Sequence, residues 1–232
     1  LIGGLAGDAL TTGSGNTALG YGTLSVEQAG GRNVAIGWKA LVNQNTGVDS
    51  YNVAVGYEAG ELITTGIQNT MIGGLACDAL TSGTGNVALG FASLSSETTG
   101  NRNTAVGWKS LEQLNNTGSA YNTAFGYEAG LNVSTGIKNT LIGGLAGDNL
   151  TTGSNNILIG YDATASAVGV SNEVTIGDNN ISLLRIPGLG STDGHVLTYE
   201  AASGGIVLKA GGGGGASSLN GLSDVLIDGT SN

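Results

Sequence analysis

The sequence predicts an all-β chain wound as a parallel β-helix or β-roll solenoid, with 17–19-residue coils grouped in 70-residue super-repeats and a small C-terminal β module. Three observations lead to this reading. The segment LIGGLAGDALTTGSGNTALG at 1–20 returns at 71–90 and again at 141–160, displaced by 70 residues each time. Within each unit, phrases of the type Asn-x-Ala-hydrophobic-Gly start at Asn16, Asn33, Asn52, Asn69, Asn86, Asn103, Asn122 and Asn139, at spacings of 17, 19, 17 and 17 before the cycle restarts. Such a period assigns one coil of chain to each phrase. Finally, 44 of the 232 residues are glycine and only one is proline, a composition suited to an extended array of short strands and turns.

Each phrase reads as a short strand. Thr17-Ala-Leu, Val34-Ala-Ile, Val53-Ala-Val, Thr104-Ala-Val and Thr123-Ala-Phe are β-branched or apolar and are bounded by Gly, Asn and Ser. Helix is disfavoured, because glycines at Gly20, Gly37, Gly56, Gly73, Gly90, Gly107, Gly126, Gly143, Gly160 and Gly177 would each cost about 1 kcal/mol in a helix interior. They suit a bend or a close backbone approach. A second, weaker strand or turn is expected in each coil, as at Gly22-Thr-Leu-Ser, Lys39-Ala-Leu-Val, Glu61-Leu-Ile-Thr and Lys109-Ser-Leu-Glu, before a polar loop returns the chain.

Stacked in register at roughly 4.8 Å, repeated positions become columns along one axis. Thr17, Val34, Val53, Thr70, Val87 and Thr104 share a face with Leu19, Ile36, Val55, Ile72, Leu89 and Val106, while Ala18, Ala35, Ala54, Ala88 and Ala105 occupy the other. Both faces are uncharged, and so thin a coil is expected not to bury both by itself. The small Ala column is therefore expected to pack against sister chains in a parallel homotrimer, with a monomeric solenoid as the alternative.

The column Asn16, Asn33, Asn52, Asn69, Asn86, Asn103, Asn122, Asn139 and Asn156 reads as a structural ladder of side-chain hydrogen bonds that fixes register, in preference to a row of sugar or metal ligands. A second column, Tyr21, Trp38, Tyr57, Phe91, Trp108, Tyr127 and Tyr161, is interrupted by Gly74 and Gly144. It is either packing filler or an exposed strip on which glycan rings stack.

The chain carries 7 basic and 17 acidic residues, a formal charge of −10, which disfavours nucleic acid and anionic bilayers as partners. No run approaches the roughly 18 apolar residues of a membrane span, and no signal segment opens the chain; beginning inside a repeat, it is expected to continue upstream. Catalytic vocabulary is sparse. His195 has no repeated acid or nucleophile beside it, and Cys77 stands where the other units have Gly7 and Gly147, as a small residue in a tight place. Glu58 and Glu128 fall four coils apart, roughly 19 Å at strand spacing, beyond the reach of a glycosidase pair. Asp8, Asp78 and Asp148 follow glycine-rich text without the nine-residue period of a calcium roll. The reading expects no enzyme, no cofactor and no metal.

The phrases Asn-Val-Ala-Ile-Gly-Trp, Asn-Val-Ala-Val-Gly-Tyr and Asn-Val-Ala-Leu-Gly-Phe resemble the head repeat of YadA-like trimeric adhesins, and resemble still more the Asn-Thr-Ala-x-Gly-Tyr arrays of marine and cyanophage-type tail fibres. The resemblance covers residues 1 to about 180 and implies a left-handed parallel roll shared by three chains, although the coils here are longer than the adhesin repeat. Beyond Gly177 the text changes. Residues 192–210 are similar to a small phage-fibre β module, with Ile206 and Val207 replacing its usual aromatic, and 218–228 are similar to the Leu-Ser-Asp-Val linker of such fibres. Alternation at Val196, Thr198, Ile206 and Leu208 predicts a hairpin within 181–210, and Gly211 to Gly215 predict a hinge within 211–232. The resemblance implies a structural virion protein, a trimeric tail-fibre shaft partnered by itself, by other tail proteins and by host surface polysaccharide. A bacterial adhesin head or extracellular filament subunit is the alternative, and a polysaccharide-cleaving tailspike a third.

Overall fold

The computed structural model describes residues 1–181, 195–200 and 205–210. Two units divide the chain, the first running from Leu1 to Ile181. It contains β1 (Thr17–Leu19), β2 (Val34–Ile36), β3 (Val53–Val55), β4 (Thr70–Ile72), β5 (Val87–Leu89), β6 (Thr99–Asn101), β7 (Thr104–Val106), β8 (Thr117–Ser119), β9 (Thr123–Phe125), β10 (Thr140–Ile142), β11 (Ile157–Ile159) and β12 (Val174–Ile176). Ten of these form one parallel sheet in chain order, skipping β6 and β8, which pair with each other. Every step joins equivalent positions, as in Ala18 to Ala35 and Ala35 to Ala54. The unit is a parallel β-solenoid. Nine inter-strand steps of about 4.8 Å make a stack roughly 43 Å long. In the second unit, β13 (His195–Glu200) pairs antiparallel with β14 (Gly205–Ala210), a hairpin at the place the alternation indicates. Residues 186–190 and the hinge and linker at 211–232 lie outside the described residues.

The glycine that ends each strand permits the stack. Gly20, Gly37, Gly56, Gly73, Gly90, Gly107, Gly126 and Gly143 have φ between 124° and 147°, and a Cβ on any of them would collide with the next coil's backbone. Only glycine combines that dihedral with that approach.

The Ala column does not face sister chains, which corrects the expectation from sequence. Ala18 is 2 % exposed, and Ala35, Ala54, Ala88, Ala105 and Ala124 are fully buried inside their own coil. The cover comes from the segment expected to be a second, weaker strand or turn. That segment is a turn: Leu24, Leu41, Leu94 and Leu111 sit at φ of 50–53° with side chains fully buried among the core residues. Left-handed backbone costs roughly 1–2 kcal/mol per residue, while burying a leucine returns about 1.5–3 kcal/mol. Burial wins, and one strand per coil suffices. Within Leu1–Ile181, extra strands occur only as β6 and β8, in the second super-repeat.

Volumes balance between neighbouring coils. Where the strand position is large, as at Met71 and Leu141, the facing turn position is glycine: a Cβ on Gly60 would meet the Met71 sulfur at 2.9 Å, and one on Gly130 would meet Leu141 at 2.6 Å. Cys77 occupies this same turn column at φ 51°, fully buried, and burial pushes its thiol pKa far above the ordinary range.

The opposite strand face is left accessible by the single chain. Leu19 is 44 % exposed, Leu89 40 %, Phe125 57 % and Ile159 38 %.

Replacing Ala54 by Leu overpacks this narrow interior and should cost about 1–3 kcal/mol or more. Because the contact is within one chain, the loss of thermal midpoint should not depend on protein concentration. Recovery of the midpoint at high concentration would return the Ala column to an inter-chain role.

Candidate functional site

The asparagine that precedes each strand sits at the corner where the loop meets the sheet. Its side-chain Oδ1 accepts the backbone N–H of the equivalent residue one coil on: Asn33 donates to Asn16, Asn52 to Asn33, Asn69 to Asn52, and so on to Asn156 on Asn139, at 2.8–3.2 Å. The side-chain Nδ2 of Asn16, Asn52, Asn69, Asn86, Asn122, Asn139 and Asn156 donates instead to a loop carbonyl 14 residues later. Each of these seven thus ties two points of the following coil, whereas Nδ2 of Asn33 donates to the Gly31 carbonyl and Nδ2 of Asn103 back to Asn86 Oδ1, and the ladder from Asn33 to Asn156 is buried. The last step changes character. Glu173 takes the ladder position after Asn156, donates its N–H to it at 2.9 Å, and turns its carboxylate to Ser166 and Thr175. The column forms a continuous ladder of side-chain hydrogen bonds from coil to coil.

The aromatic row lies on the outside. Tyr21, Trp38, Tyr57, Phe91, Trp108, Tyr127 and Tyr161 are between 39 % and 68 % exposed. Tyr21 stacks on Trp38 at 4.6 Å, and Phe91, Trp108 and Tyr127 form a run at 6.3 and 5.1 Å with rings within 17° of parallel. Gly74 and Gly144 interrupt the row, and a Cβ on either would lie 3.4–3.5 Å from the ring of Phe91 or Tyr161. Charged neighbours flank it. Lys39 pairs with Glu58 at 3.7 Å and Glu61 at 3.2 Å, whereas Lys109 pairs with Glu112 at 2.9 Å and lies 4.9 Å over the Trp108 ring. The surface is an amphipathic strip of ring faces and pinned charges, suited to apolar faces of sugar rings.

Two buried carboxylates escaped the reading of the sequence. Glu27 and its 70-residue equivalent Glu97 are fully buried in a column held elsewhere by Gln44, Ile63, Leu80, Leu114, Val133 and Leu150. Their surroundings differ. Burial alone would raise the pKa of Glu27, but hydrogen bonds from Thr46 N–H, Gly30 N–H, Gln44 Nε2 and the Thr46 hydroxyl leave it below the ordinary 4.5. Around Glu97 the next coil offers Leu114 in place of Gln44. Burial there outweighs the N–H groups of Gly100, Asn116, Thr99 and Thr98, and the pKa is raised above 4.5. The Asn116 amide beside it is buried, and neither of its polar atoms has a partner among the described residues. An acid at Glu97 between the aliphatic column neighbours Leu80 and Leu114 was the available signal.

Arg32 and Arg102 form a further pair that the sequence left unremarked, each over a tyrosine ring, Tyr51 or Tyr121, with 5.5 Å to the centroid. Among the described residues no three His, Cys, Asp or Glu side chains gather in metal-binding proximity, and no helix is long and apolar enough to cross a membrane. Comparison with protein-family models, with curated proteins and with solved structures finds no match.

The two glutamates should respond oppositely to pH. Glu27, with its folded pKa depressed, contributes stability at neutral pH that is lost as pH falls through the folded value; Glu97, with its folded pKa raised, contributes stability at low pH that is lost as pH rises from about 4.5 through the folded value. From pH 4 to 7, urea midpoints should therefore shift in favour of wild type against Glu27→Gln, and in favour of the variant for Glu97→Gln. Parallel shifts in the two variants would refute the assignment.

Proposed function

We propose that this chain is a shaft segment of a trimeric bacteriophage tail fibre or related virion appendage, a structural protein that holds distal parts away from the particle and presents a repetitive surface to host polysaccharide. The observation that carries the reading is the exposed apolar face of the register-locked sheet. Its outward column is exposed at Leu19, Leu89, Phe125, Ile142, Ile159 and Ile176 and half-buried at Ile36, Val55, Ile72 and Val106, one residue from each strand of the sheet along roughly 43 Å. Three residues of strand span about 10 Å, so the strip projects on the order of 400 Å², the size at which apolar patches mark interaction sites. Three parallel copies in equivalent register bring these faces together around one axis and leave the coil interiors untouched. The repeat phrases support a phage origin, and the hairpin after the array fits a fibre built of successive modules.

The exposed aromatic row supports attachment, since ring faces at coil spacing offer repeated stacking positions to a polymer. A bacterial trimeric adhesin head or extracellular filament subunit would use the same stack and differs in its location.

Peptide mass spectrometry on density-purified virions and on the cell-envelope fraction of the same culture separates the two. Peptides spanning Trp38 or Trp108 are expected to sediment with virions. Enrichment in the envelope fraction would replace the fibre with an adhesin or filament.

A further inference from the structure

The two Arg-Tyr pairs occupy equivalent positions 70 residues apart, yet their surroundings are not equivalent. In the first super-repeat Arg32 Nε donates to Asp49 at 2.9 Å and Nη1 donates to Tyr51 Oη at 2.8 Å, so the guanidinium is neutralised by its own chain. In the second, Ser119 stands where Asp49 would be. Arg102 spends both hydrogens of Nη1, on Ser119 Oγ at 2.6 Å and on Tyr121 Oη at 3.0 Å. Its Nε and Nη2 have no acceptor, and it has no carboxylate partner, among the described residues. Arg102 lines a surface depression of about 250 Å³ with Thr84, Asn101 and Ser119. The floor is braced: Asn101 Oδ1 accepts the Thr84 N–H at 2.7 Å, Arg102 N–H donates to Thr84 carbonyl at 3.1 Å, and β6 pairs with β8 beneath.

We propose that this depression is a binding site for a carboxylate borne on a sugar, a uronic acid within an acidic glycan. The first super-repeat displays the missing partner, because Asp49 is a carboxylate already seated against the equivalent arginine. A ligand carboxylate takes that place on Arg102, using the two nitrogens left over in the fork geometry that guanidinium and carboxylate share. Hydroxyls of Thr84 and Ser119 and the amide of Asn101 line the depression beside it, and these match sugar hydroxyls better than the side chains of an acidic peptide. A polymer is favoured by the next cation along the column. Exposed Lys138 follows two coils on, roughly 10 Å away at strand spacing, where the first super-repeat has Gln68. Of the two replacements, Asp49 to Ser119 removes a negative charge and Gln68 to Lys138 adds a positive one, so each makes this column of the second super-repeat one unit more positive, in a chain whose total is −10. The site needs only the coil geometry and holds for a virion fibre and a cell-surface filament alike.

The chain has three arginines, Arg32, Arg102 and Arg185, so the Nε–H resonances of the full protein with ¹⁵N-labelled arginine are few enough to assign with single Arg→Gln variants. Titration with oligogalacturonate at physiological ionic strength is expected to shift Arg102 saturably and to leave Arg32 in place. A neutral galactose oligomer should shift neither. Ser119→Asp should abolish the response by supplying an internal carboxylate, and Asp49→Ser should make Arg32 respond in its turn. No shift at Arg102, or equal shifts at Arg32 and Arg102 in the wild-type chain, overturns the site. Acetate matching the oligomer at equal carboxylate concentration overturns the glycan assignment, as does tighter saturation by oligo-aspartate.

Discussion

Every coil of this molecule depends on the one before it through a single side chain. A parallel stack has no tight hairpins to set register, so something must stop neighbouring coils from slipping along the strand. The asparagine ladder does this from the corner of each coil, where Oδ1 holds the next coil's backbone N–H and Nδ2 commonly holds a loop carbonyl of that coil. A buried amide with both ends satisfied is favourable, and one left unsatisfied costs about 1–3 kcal/mol. Slippage by one residue would orphan a column of such groups at once. With register held there, the glycine corners meet, the strands pair at equivalent positions, and the small interior closes.

The ladder also explains where the array tolerates variation. Coil spacing is 17 residues except for 19 between Asn33 and Asn52 and between Asn103 and Asn122. The two additional residues fall in the loop before the corner, and the strands on either side remain paired without a bulge. Those longer loops carry several of the differences between super-repeats: Thr46 against Asn116, Asp49 against Ser119, and β8, which pairs with β6 in the second super-repeat without a counterpart in the first. Structure is held constant at the corner while surface chemistry changes at the loop. In a solenoid, where each coil contacts mainly its neighbours, such changes stay local.

Much of this was legible in the sequence because repetition turns one inference into a column. The strand positions, the glycine corners and the asparagine ladder all follow from the period. What the sequence could not say was which strand face lies inside, since Thr17 and Leu19 on one side and Ala18 on the other are both uncharged, and alternation carries no sign when neither face is polar. The deciding element was a turn in which leucines take left-handed backbone, a conformation uncommon for such residues. A clue existed in the column shared by Leu24 and Leu41 with Gly60 and Cys77, where glycine alternates with bulk. The buried Glu97 was hidden for a similar reason, because its burial follows from the coil's winding.

Hydrogen exchange resolved at single amides tests the dependence on the ladder most directly. In the wild-type chain the N–H groups of Asn69, Asn86, Asn103 and Asn122, bonded to side-chain oxygens one coil back, should belong to the slowest class, well behind the exposed loop at Gly47. Replacing Asn86 by Ala removes the acceptor for Asn103, and the Asn103 amide is predicted to join the fast class together with the coil it anchors. An Asn103 amide that stays protected in that variant would mean that sheet pairing alone holds the register, and the ladder would lose its central place.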